Sequence, residues 1–81
     1  MVKKDGFEFQ KSTRKNKKYM VKVNNRTVHF GGAGYEHYSD KIGLYKHLNH
    51  NDKDRRRRYY ARHGTATNKH SPKWFSHKFL W

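Results

Sequence analysis

The chain has 81 residues, with 20 Lys and Arg against 6 Asp and Glu, a formal net charge of +14 before any of its seven histidines is protonated. A chain this short holds one small domain with little surface to bury, which excludes large enzyme folds. So large a positive surplus calls for an anionic or acidic partner.

Eight branched aliphatic residues stand against thirteen aromatics, so any core is mostly aromatic, each ring burying roughly 150–250 Å². So few aliphatics at such a charge is a composition usually read as disordered, and order is therefore expected to depend on a partner. Without cysteine there is neither a disulfide nor a thiolate zinc site. No apolar run approaches the roughly 20 residues of a membrane span, and Met1 to Gly6 lacks the apolar stretch of a secretory signal, so a reducing interior is expected.

Residues 1–18 carry Lys3, Lys4, Lys11, Arg14, Lys15, Lys17 and Lys18 with two acids. They are expected to form an extended basic arm that orders on a polyanion or a protein groove, with Phe7 and Phe9 as anchors. The remaining residues, 19–81, form a single small domain. Its clearest element is a β-hairpin over 19–30, where Asn24-Asn25 separates two β-branched runs and both asparagines are expected at positive φ. Val23 then faces Arg26, Val21 faces Val28 and Tyr19 faces Phe30, giving one apolar face that needs a cover.

Residues 31–34 form a glycine-rich turn that lacks the following Lys and Ser or Thr of a phosphate loop. Tyr38, Ile42, Tyr45 and Leu48 fall near one helical face, although Gly43 interrupts them, so 35–50 is expected to be a short helical or irregular cover for the hairpin. A helix is predicted over 52–63, with Asn51 or Asp52 as cap, Asp54 at the positive dipole end and Gly64 as the stop. At 100° per residue, Arg55, Arg58, Tyr59 and Arg62 share one face, Arg56, Tyr60 and His63 a second, and Arg57 lies with Ala61. The four consecutive arginines therefore cannot all meet one flat ligand. Ser71-Pro72 opens an aromatic terminal helix over 72–81, whose rings cover the hairpin or anchor in another subunit. The fold expected is a small α+β domain: a β-hairpin packed against one or two short helices, preceded by the arm.

Candidate chemistry is sparse. His47 and His50 have an i, i+3 spacing, yet no third ligand stands at a recognisable distance from them, so no metal or other cofactor is assigned. The string from His47 to Asp52 shares only its His and Asn content with small metal-dependent nucleases. Six acids, each beside basic residues, offer no carboxylate pair, and so small a chain has little concave volume, so the chain is read as a non-enzyme with no small-molecule substrate. Polyanion or partner binding is assigned to Lys15, Lys17, Lys18, Arg55, Arg56, Arg57, Arg58, Arg62, Trp74 and Trp81.

Phe30-Gly31-Gly32 with Tyr35 and Tyr38, the run from His50 through Arg58-Tyr59 to Arg62-His63-Gly64, and Trp74 to Trp81 together resemble an uncharacterised family of small basic proteins. Nucleocytoplasmic large DNA viruses of algae and amoebae encode that family, and the resemblance covers residues 18–81. It implies a minor capsid or internal virion protein that ties larger acidic partners together. The localisation implied is the virion, and the host cytoplasm or viral factory during assembly. The alternative is a sequence-non-specific viral DNA-binding or genome-packaging protein.

Overall fold

The computed structural model describes residues 2–65 and 68–81. It is a small α+β fold: four strands, β1 (Val2–Lys4), β2 (Phe7–Lys11), β3 (Lys17–Val23) and β4 (Arg26–Gly32), form an antiparallel meander in sequence order. Two helices follow, α1 (Lys53–His63) and α2 (Pro72–Phe79).

The expected arm is corrected here: residues 2–11 are half of the sheet. Asp5 and Gly6 take φ of 52° and 83°, the left-handed pair that a tight hairpin turn needs, and Lys4 then pairs with Phe7. Alternation at Phe7-Glu8-Phe9 sends Phe9 fully inside, opposite Val21. A boundary at residue 18 would cut through this core.

The β3–β4 hairpin has the expected register, with Val23 opposite Arg26, Val21 opposite Val28 and Tyr19 opposite Phe30. Of its two turn asparagines only Asn24 takes a positive φ, 55°.

Residues 35–50 form no α-helix; a 3₁₀ turn at Lys46–Leu48 is their one helical piece. Side chains hold this segment instead. The buried Asp40 carboxylate accepts from the Tyr19 hydroxyl (2.5 Å) and the Ile42 and Tyr45 amides (both 2.8 Å). Asn49 Oδ1 accepts from the Asp40 amide (2.7 Å) and from His37 Nε2 (2.6 Å). Gly43, at φ 111°, completes the irregular path.

Both helices begin where the sequence places them. The Asp52 carboxylate accepts from the Asp54 and Arg55 amides, Ser71 Oγ accepts from the Trp74 amide, and Gly64 at φ 68° closes α1. Phe75, Phe79 and Leu80 cover the inner sheet face and are essentially inaccessible to solvent. The two phenylalanine rings pack edge-on against Phe7 (Phe75, 5.2 Å) and Phe9 (Phe79, 4.7 Å), while Phe75 stacks on Phe30 (5.4 Å). Such contacts add about 0.5–1.5 kcal/mol per pair beyond the area buried, which lets aromatics replace the missing aliphatics.

Candidate polyanion-binding cleft

α1 buries none of its own residues. It is fastened to the body by polar and aromatic contacts on one side. His77 Nε2 donates to the Gly64 carbonyl (2.9 Å), so its Nδ1 accepts from the Tyr59 hydroxyl (3.0 Å), and the Tyr60 hydroxyl donates to the His77 carbonyl (3.2 Å). Tyr59 also stacks flat on Trp81, with centroids 4.2 Å apart. Burial pushes its hydroxyl pKa up to about 12.

This docking leaves a cleft of about 640 Å³ between the start of β3, the end of β4, α1 and α2. Lys17, Arg55, Arg62, His63 and Lys73 line it with cationic or titratable groups, Tyr35 and Trp81 with rings, and Gly31, Gly32 and Leu80 with backbone and apolar surface. An adjoining depression of about 560 Å³ adds Arg58 and shares Arg55, Arg62 and Trp81. The face expected from helical spacing, Arg55, Arg58 and Arg62 with Tyr59, therefore meets one continuous hollow.

The electrostatics agree with that lining. His63 has its pKa lowered, first by desolvation and then by the neighbouring Arg62 and Lys73 charges. One carboxylate, Glu36, reaches the cleft; Arg55 Nη1 donates to it at 2.9 Å, and that bond followed by the same charge holds its pKa down.

Other expected binding residues are held in different ways. Lys18 is 1% exposed and cannot present its charge to a macromolecule, which corrects its assignment. Its ammonium donates to the Tyr35 carbonyl (2.5 Å) and to His37 Nδ1 (3.1 Å), and desolvation lowers its pKa to about 8 against an opposing pull from Asp40. Since His37 Nε2 donates to Asn49, the Nδ1 lone pair is the one that Lys18 meets. Arg56 donates through Nε to the Trp81 carbonyl (2.7 Å) and lies over the Tyr38 and Tyr60 rings, so it fastens α1 to the body. Arg57 pairs with Asp54. Trp74 is half-buried beside Phe7, His70 and Phe75. Trp81 is half-buried, with one face on Tyr59 and His50 nearby. Lys15 is exposed in the β2–β3 loop, far along the chain from α1.

Sequence reasoning misses Tyr35, His63 and Lys73 as cleft residues. Tyr35 has a usable signal: it follows a glycine run, and its ring edge abuts Gly32, where an added Cβ would sit 2.7 Å from Tyr35 Cδ2. Lys73 has none, because only the docking of α2 brings it to the cleft. Among the described residues no group of three His, Asp or Glu side chains is placed to hold a metal ion, and no helix is long and apolar enough to cross a membrane.

No curated protein and no solved structure matches the chain. A family model does match residues 7–63, from β2 through the end of α1, and the chain accordingly belongs to DUF5754, a family of unknown function.

Proposed function

We propose that this protein is a non-enzymatic structural component of a large DNA virus particle, tying larger partners together through basic and aromatic surfaces. One observation carries the reading: the fold engages nearly all of its acids within the chain and, apart from the buried Lys18, leaves its cations at least partly open to solvent. Asp40 is buried, Asp52 caps α1, and Glu8, Glu36 and Asp54 are each held by one Lys or Arg, leaving Asp5 in the β1–β2 turn. Three ion pairs among the described residues engage three of the 20 cations. So large a surplus left unpaired within the chain favours an anionic neighbour.

The cations lie in regions separate enough to hold more than one partner. α1 and α2 frame the cleft, while Lys11, Arg14, Lys15 and Lys22 are exposed on β2, β3 and the loop between them. Arginine suits carboxylate-bearing neighbours because its planar fork holds two oxygens at once. The viral setting is supported by the likeness of the His50–Gly64 and Trp74–Trp81 segments to the small basic proteins of large DNA viruses.

Cross-linking of intact purified particles tests the reading. Lys11, Lys15, Lys22 and Lys73 are expected to link to acidic segments of larger particle proteins. Absence of the chain from purified particles, or linkage only among its own copies, sinks the proposal.

A further inference from the structure

We infer that the cleft between α1, α2 and the β3–β4 end binds a single-stranded nucleic acid, its phosphates on Arg55, Arg58, Arg62, Lys17 and Lys73 and one base on the Tyr35 ring. The inference rests on the reading that the surplus cations meet a polyanion, and it names the occupant of one surface.

Charge complementarity alone would admit an acidic peptide as well as a phosphodiester chain. Two features of the walls favour the phosphodiester. Arg55, Arg58 and Arg62 follow one helix face over about 10 Å, since each residue rises about 1.5 Å. That gives a row of cations able to track a continuous backbone. Beside it, the Tyr35 ring is 74% exposed. Large rings are seldom left so open, and this one meets Gly32 at the cleft rim through its Cδ2 edge, which leaves its faces uncovered by that glycine. A flat, open ring beside a cationic row suits an unpaired base and offers nothing to a carboxylate.

A duplex keeps its bases in the stack and would leave Tyr35 without a role, so the site is assigned to single strands. Trp81 is not the platform: Tyr59 occupies one of its faces and His50 approaches it at 5.2 Å.

The test is fluorescence anisotropy with labelled 12-nucleotide oligo-dT, oligo-U and a matched duplex, at several salt concentrations, using the full chain. Single strands are expected to bind more tightly than the duplex, and comparing oligo-dT with oligo-U distinguishes DNA from RNA as the source. Replacing both Arg58 and Arg62 with Gln removes two phosphate contacts, so the slope of log affinity against log salt should become shallower by about 1.4. Tyr35→Ala, at an exposed position, should weaken single-strand binding at least about fivefold and leave the salt slope alone. Gly32→Ala, which displaces the ring, should reproduce that loss. Replacing both Lys15 and Lys22 with Gln, away from the cleft, should have a smaller effect than the cleft pair.

Equal binding of duplex and single strand, or an unchanged affinity in Tyr35→Ala, overturns the inference. So does displacement of the oligonucleotide by polyglutamate at equal charge concentration, which would make the cleft a site for acidic protein and keep the broader reading. If neither nucleic acid nor polyglutamate binds, both fall together.

Discussion

The Asp40 carboxylate accepts from the Tyr19 hydroxyl and from the Ile42 and Tyr45 amides, so a single substitution orphans three donors in or near the core. Asp40→Ala is expected to destabilise the fold by about 3 kcal/mol, read from urea unfolding, because each buried donor left unpaired costs about 1–3 kcal/mol. Lys18 acts in the opposite sense. Its folded pKa of about 8 lies below the ordinary value of 10.5, so between those values the unfolded chain binds the extra proton and stability rises with pH. Above about pH 10 the hydroxyls of buried Tyr19 and half-buried Tyr59, whose pKa values are raised chiefly by desolvation, reverse the trend. Urea midpoints are therefore expected to climb from pH 8 to 10, and Lys18→Met should abolish the climb. At the acid end, desolvation lowers the pKa of His29, His37, His50 and His63. The unfolded chain then takes up protons first, so stability should fall as pH drops through about 6.5.

At the scale of elements, α1 and the sheet are held by different means. The sheet is sealed by Phe9, Tyr19, Phe30, Phe75 and Phe79, whereas α1 contributes no buried residue and leans on Tyr59, Tyr60 and Arg56. Hydrogen exchange should accordingly show α1 amides opening well before those of β3 and β4. Asp52→Ala, which removes the N-cap, should cost about 1 kcal/mol and widen that gap. The two helices and the central hairpin are legible in the sequence because their signals are local: a cap, a stop, a turn dipeptide and alternating β-branched residues. The N-terminal hairpin has an equally local signal, Asp5-Gly6 before Phe7-Glu8-Phe9, but the density of lysines around it reads as a solvated arm. Residues 35–50 are not legible in the same way. Asp40 and Asn49 find Tyr19 and His37 only after the chain has closed, and helical spacing in this stretch has no bearing on those contacts. The cleft divides along the same line: Arg55, Arg58 and Arg62 follow from 100° steps, while Tyr35 and Lys73 arrive by packing.

For the whole molecule, a charge of +14 on a body with a radius of gyration of 12.1 Å makes self-repulsion the dominant long-range term. Raising monovalent salt from 20 to 200 mM shortens the screening length to below about 10 Å and should raise the melting temperature. A fold relying on its ion pairs would show the reverse, and the three exposed pairs here are too few for that. Short polyanions should raise the melting temperature further at equal ionic strength, since they bind the folded arrangement of cations, and scanning calorimetry reads both effects.

Of the sheet's two edge strands, β1 is three residues long and carries Lys3 and Lys4. A flank so brief and so positively charged gives a neighbouring copy almost nothing to zip onto. Because a ribbon must extend through both edges of each sheet, many copies crowded together would not grow into one, leaving them available to the acidic molecules around them.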